Sequence, residues 1–202
     1  MRNLVVALFS VVGTISMWYN FLAYNIIASI ILTKSALHLG LLLSFTTIFV
    51  AFIARPIGAY VFGLVGDKFS SKSSLVSTLV IMGISTLLIS IIKNTWYTTY
   101  ELLVLRVAQG MALGGEWASA SVLTYESVRG GSVGRFLTSL VQLGVPLGML
   151  LTTFAVIQWR LALLMGSLLS LSSAAVILAL ARQVLDPLIG GQHSALRMLR
   201  GL

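Results

Sequence analysis

Cysteine is absent from this chain, histidine occurs twice, and only five of its 202 residues are acidic. Without cysteine there is neither a disulfide framework nor a thiolate metal site. His38 and His193 fall at the edge of an apolar run and in the C-terminal stretch. A membrane-embedded serine hydrolase needs a histidine beside its serine within the bilayer, and this placement argues against one. No metal-binding cluster and no phosphate-cradling loop stands out, so no metal and no cofactor is expected. Charge is scarce as well, at 9% of residues against about 25% in an ordinary soluble domain. What is there is apolar: 58% of the residues are hydrophobic, with a mean hydropathy of +1.02. No single soluble core uses so much apolar sequence, and an integral membrane protein does. The net charge of +8 does not point to nucleic acid, because no basic, aromatic-interleaved soluble segment exists. The excess is expected in the loops, where lysine and arginine set topology.

Six apolar runs are read as spanning helices, at about 4–32, 39–65, 75–92, 101–125, 136–157 and 161–181. Each is near the roughly 20 residues a span needs. Residues 1–182 then form one all-α transmembrane domain, and residues 183–202 a polar, basic tail. The first run is too long for a signal-peptide core. It holds Trp18, Tyr19, Asn20, Phe21, Tyr24 and Asn25, and an amide at mid-span places Asn20 facing inward. The second holds Arg55-Pro56-Ile57-Gly58. Proline frees a carbonyl and kinks a helix. Arg55 either snorkels to the interface or serves function. Gly63 to Lys72 makes a tight charged turn containing Gly66, Asp67 and Lys68. Trp96, Tyr97 and Tyr100 fall at aromatic-belt depth. The fifth run contains Gln142-Leu143-Gly144-Val145-Pro146-Leu147-Gly148.

The fourth run is the one the rest is organised around. It carries Arg106 and Glu116 inside an otherwise apolar stretch. A charge at membrane depth costs at least about 2.5–3.5 kcal/mol, so such residues face a protein interior or a wet cavity. Gly110 and Gly114 share a face and let another helix come close, with Gly115 beside them. Gln109 and Glu116 return to nearly one face, and Arg106 lies about 80° round and roughly 15 Å along the axis from Glu116. One helix thus carries a packing seam and a polar stripe.

Basic residues give the orientation. With the N-terminus inside, the inner side holds Arg2, Lys68, Lys72, Arg129, Arg135, Arg182, Arg197 and Arg200, and the outer side Lys34, Lys93 and Arg160. That imbalance puts both termini in the cytoplasm. An internal repeat is also visible. Pro56-x-Gly58 and Pro146-x-Gly148 occupy the second span of each three-helix set, and two inverted three-helix repeats with interrupted helices are a transporter design.

At this point the sequence resembles the N-terminal half of a major facilitator superfamily carrier, specifically the metabolite:H⁺ symporters. Trp18-Tyr19 with Phe21 resembles the first-helix signature. Arg55-Pro56-x-Gly58 and Gly63-x-x-Gly66-Asp67-Lys68 resemble the second helix and the superfamily loop motif. Leu105-Arg106-x-x-Gln109-Gly110-x-x-x-Gly114-Gly115-Glu116-Trp117 is the most specific block, and Gln142-x-Gly144-x-Pro146-x-Gly148 matches the fifth helix. The departures matter too. Two first-helix acids of the family are replaced by Met17 and Asn20, and the loop ends Ser70-Ser71-Lys72.

The resemblance implies a plasma-membrane, multi-pass carrier of small solutes, a carboxylate among them, together with H⁺. Arg106 is then a fixed positive charge at the cavity, or an arginine bonded to backbone carbonyls for packing. Glu116 holds and releases a proton, or is a structural acid. Asn20, Gln109 and Gln142 offer hydrogen bonds to solute or to other helices. Asp67, Lys68 and Lys72 form a cytoplasmic gate latch. Positive-inside topology alone accounts for the lysines but not for Asp67. The family has twelve helices in two halves, so a lone half is expected either to present a bare polar stripe or to collapse its six helices and hide it. It is expected to need a second copy or a separately encoded half. The alternatives are a non-transporting six-helix protein, or a decayed transporter fragment.

Overall fold

The structure, a computed structural model, describes residues 2–33, 37–92, 98–128, 131–153 and 158–200. Lys34, Lys93 and Arg129, the belt aromatics Trp96 and Tyr97, and the end of the expected fifth span lie outside the described residues. Among the described residues, seven helices follow one another: α1 (Arg2–Thr33), α2 (Leu37–Lys68), α3 (Ser71–Ile91), α4 (Thr98–Ser127), α5 (Gly131–Gln142), α6 (Gly144–Thr152) and α7 (Trp159–Arg200). Among the described residues, five stretches are long and apolar enough to cross a membrane: Leu4–Ala28, Leu42–Lys68, Ser71–Ile91, Gly131–Thr152 and Trp159–Ala179.

The helices differ from the expected runs in three places. The fourth run is long enough, with 30 residues in α4, yet it is not among the five apolar stretches. Arg106, Gln109 and Glu116 interrupt it, and a helix surrounded by protein need not be apolar on every side. The fifth run is not one helix. Pro146 has no N–H to give the Gln142 carbonyl, so the helical ladder lapses there. Leu143 N–H bonds Leu140 O at 3.0 Å instead, and Leu147 N–H resumes the ladder on Leu143 O at 3.1 Å. Pro56 leaves the Phe52 carbonyl in the same position, but α2 runs through it. The residue two before each proline differs: Ala54, a good helix former, against Gly144, a poor one. α7 also runs on as helix past the expected boundary at 181, to Arg200.

The packing has α1 and α4 at its centre. α1 touches each of the other six helices, and α4 touches α1, α2, α3, α5 and α7. One core cluster joins Met17 and Phe21 to Leu75, Leu79, Met82, Leu113 and Leu123. A second gathers Tyr24, Ile27, Ile89, Leu102 and Leu163. The outward faces stay apolar, with Phe45, Phe49, Ile53 and Ile57 exposed on α2 and Val104 on α4. This is the surface that a hydrocarbon solvent favours.

Glycine sets the closest approach. A Cβ on Gly110 would overlap the backbone of Ala51, one on Gly114 the carbonyl of Arg55, and one on Gly58 the backbone of Met111. The expected seam is therefore the α2–α4 contact, backbone against backbone. Gly115 seats Phe62, and Gly148 brings α6 against Trp18 and Tyr19 of α1. Gly63 has open space around it.

Candidate functional site

The polar residues of α4 turn into the bundle. Arg106, Gln109 and Glu116 are each 0% exposed. A bare stripe awaiting a second half is thus not what the structure has, because α1 and α3 of this same chain cover it. Arg106 reaches α1. Its Nη2 donates to Asn25 Oδ1 at 2.6 Å, and its Nη1 donates to Gln109 Oε1 at 2.8 Å and to the Phe21 carbonyl at 3.5 Å. The guanidinium also lies 4.4 Å from the ring centre of Phe21 and 4.3 Å from that of Tyr24. Buried cation–ring contacts of this kind are worth about 2 kcal/mol. Gln109 passes the chain of bonds on to α3, donating to Thr86 Oγ1 at 2.8 Å, and Thr86 donates to Met82 O at 2.8 Å. Tyr24 is held in turn by its hydroxyl on Thr47 Oγ1 at 3.2 Å.

Among the described residues, every acceptor and ring around Arg106 is neutral. Asn25, Gln109, a carbonyl and two aromatic faces surround it but do not cancel its charge, and its Nε has no partner among the described residues. Sequence reasoning missed Thr86 and the role of Asn25. The Arg106–Gln109 bond was available as an i, i+3 pair. A threonine in an apolar run carries no signal until the helix opposite it is known.

Glu116 looks elsewhere. Thr14 of α1 donates to its Oε1, and its Oε2 has no partner among the described residues. Gln109 and Glu116, expected on nearly one face, therefore serve different neighbours. Asn20 is buried at the α1–α7 contact, where its Nδ2 donates to Gly166 O at 3.0 Å and to Ser170 Oγ at 2.9 Å. That is a bond between helices, and it does not join the Arg106 group. Gln142 is exposed at the break between α5 and α6.

The turn after α2 is short. Asp67 and Lys68 are exposed in the last turn of α2, and Ser70 caps α3 by accepting from Ser73 N at 3.1 Å. Lys72 is the second residue of α3. An acid at a helix C-terminus and a base at an N-terminus both oppose their own helix dipoles. Local helix stability therefore does not explain Asp67 and Lys72.

Comparison with known proteins follows the same lines. Residues 6–197 match the family model described as Major Facilitator Superfamily. The chain is 37% identical over 156 residues to the shikimate transporter of Escherichia coli, covering 73% of the chain and 35% of that protein. It is 36% identical over 168 residues to a putative metabolite transport protein of Haemophilus influenzae, covering 77% of the chain and 38% of that protein. A putative proline/betaine transporter of Staphylococcus aureus is 40% identical over 90 residues, 43% of the chain and 19% of that protein. The chain thus spans little more than a third of the length of the first two of these relatives. No solved structure matches it. With its helical, multi-pass architecture, its apolar outer faces and its match along nearly the whole chain, this protein belongs to the Major Facilitator Superfamily of membrane transporters.

Proposed function

We propose that this chain forms a six-helix half of a secondary-active carrier for a small carboxylate, working by alternating access against a second half. That half is a continuation of the polypeptide, a separate chain or a second copy. The observation that carries the substrate class is Arg106, wholly buried and, among the described residues, surrounded by neutral partners only. A buried cation without a counter-charge is costly to keep. An anionic solute entering beside α1 and α4 supplies that counter-charge, and Asn25 and Gln109 hold the guanidinium fork in place for it. Among the relatives, one is named for a carboxylate and another for zwitterions, and Arg106 suits the carboxyl group they share.

Several features support the architecture. In two inverted three-helix repeats, α1 corresponds to α4, α2 to the α5–α6 pair, and α3 to α7. The α2–α4 and α3–α4 contacts then have counterparts in α6–α1 and α7–α1, and all four occur. Gly58 and Gly148, each two residues after a proline, seat their helices on α4 and α1 respectively. α4 is read as the sixth crossing, made tolerable by neighbours on its polar side. The basic count places both termini and the Asp67–Lys72 turn in the cytoplasm. There the two misplaced charges act as a gate latch on the second half. Glu116 is the carboxyl available for proton coupling, since Met17 and Asn20 carry none.

Uptake of labelled mono- and dicarboxylates by cells expressing the chain in its native genetic context tests this reading. Saturable uptake should fall more than tenfold in Arg106→Ala and stay near wild type in Arg160→Ala, whose side chain is exposed. A tenfold loss corresponds to about 1.4 kcal/mol, within the strength of one hydrogen bond to a charged group. A second reading, a six-helix membrane protein that transports nothing, is favoured by the burial of all three α4 polar groups within one chain. It predicts no saturable uptake of any solute.

A further inference from the structure

Glu116 and Arg55 share a setting that the Arg106 network does not use. Thr14 carries one hydrogen and has two acceptors in reach, Glu116 Oε1 and the Ser10 carbonyl at 3.2 Å. Among the described residues, the one charged side chain acting on Glu116 is Arg55 of α2. From α1, Thr14 brings an uncharged hydroxyl to Glu116. The polar contact of α4 with α3 nearby is Ser119 to Ser74, 2.7 Å and uncharged. Arg55 is half-buried, and its guanidinium rests on Trp18, 5.2 Å from the ring centre, and near Phe52 at 5.6 Å. Trp18 is one turn along α1 from Thr14, on the same side of the helix. The α2 and α4 backbones meet where Gly114 abuts the Arg55 carbonyl. The cation and the acid are therefore anchored on two helices that touch, with the aromatic rest and the hydroxyl on a third.

We propose that Arg55, Glu116, Thr14 and Trp18 form a proton-operated latch joining α2, α4 and α1. It deepens, and rests on, the reading of this chain as one half of a carrier. In the acid state the Glu116 carboxyl donates its proton to Thr14 Oγ1. Thr14 gives its own hydrogen to the Ser10 carbonyl, and Arg55 lies on Trp18. A carboxylate left there with one neutral donor would be a buried, unpaired charge, which proteins avoid. When the proton leaves to water, Thr14 turns its hydrogen to Oε1. Arg55 then swings off the rings to pair with Oε2, the oxygen that has no partner among the described residues. No covalent bond changes apart from the O–H of the acid, and a proton from water restores the first state. The swing shifts a cation between α1 and α4, and so biases how those helices sit against each other.

The experiment uses the full chain in lipid nanodiscs, with Trp96, Trp117 and Trp159 replaced by Phe so that Trp18 alone reports. Trp18 emission should change in a single-proton step as the pH is varied, because a cation leaves its ring face. The step should vanish in Glu116→Gln and in Arg55→Ala. Infrared spectra of the same samples should show a carboxylic acid carbonyl band that is lost in Glu116→Gln and shifted upward in Thr14→Val, where its hydrogen bond is gone. A step that survives Glu116→Gln, an emission flat with pH, or a band unmoved by Thr14→Val would overturn the latch. None of these readouts depends on solute movement, so the latch and the transport reading fail separately.

Discussion

Arg106 shows how a residue can be legible in cost and illegible in company. Its charge inside an apolar run already announced a protein-lined site. The identity of its partners came only with the fold: Asn25 four residues beyond Phe21 on α1, Gln109 one turn along α4, and Thr86 behind Gln109 on α3. Asn25→Ala should lower stability by about 1–3 kcal/mol, the cost of leaving a buried donor without its acceptor. Thermal unfolding in mild detergent, read by circular dichroism, should then show a lower midpoint. Gln142→Ala, at an exposed position, should leave the midpoint unchanged. An Asn25→Ala midpoint equal to wild type would mean that the 2.6 Å bond contributes nothing. Asn20 was read correctly as inward-facing. Its neighbours, Gly166 and Ser170, lie too far along the chain for spacing to pair them with it.

Among the elements, glycine was the most readable residue. The four-residue spacing of Gly110 and Gly114 marked a close helix contact, and the structure puts α2 there. Gly110→Val should force apart two backbones and cost about 1–3 kcal/mol or more, as overpacking does. Gly63→Ala meets open space and should be neutral or raise stability by up to about 1 kcal/mol, since alanine favours the helix. Measuring both by the same unfolding assay checks the seam; equal midpoints would contradict it. The break between α5 and α6 was harder to foresee. Pro56 and Pro146 sit in the same Pro-x-Gly pattern, yet only the second splits its helix. Gly144 makes the difference, as a weak helix former that packs against Thr14 where a Cβ would not fit. That contact is tertiary, and no local pattern contains it.

The whole molecule was the easiest scale to read, because the bilayer constrains it most. Composition alone required spanning helices, and five of the six expected runs are long and apolar enough. The fourth is the exception because its polar side is paid for by neighbours, which hydropathy does not see. Of the two expected outcomes, a bare stripe and a bundle that hides it, the structure has the second, with Arg106, Gln109 and Glu116 buried. Topology remains a prediction of charge. Single cysteines at Ser71 and Ser35 in intact cells should be protected and modified respectively by an impermeant thiol reagent, and the reverse pattern would invert the orientation. The central claim is that the buried, neutrally partnered Arg106 takes the carboxylate of the solute. Equilibrium binding of labelled carboxylates to the purified chain in nanodiscs tests it most directly. Wild type should bind saturably, Arg106→Lys should bind more weakly because a lysine lacks the fork that meets Asn25 and Gln109, and Arg106→Ala should lose more than tenfold in affinity, about 1.4 kcal/mol. Equal affinity in wild type and Arg106→Ala would contradict the account.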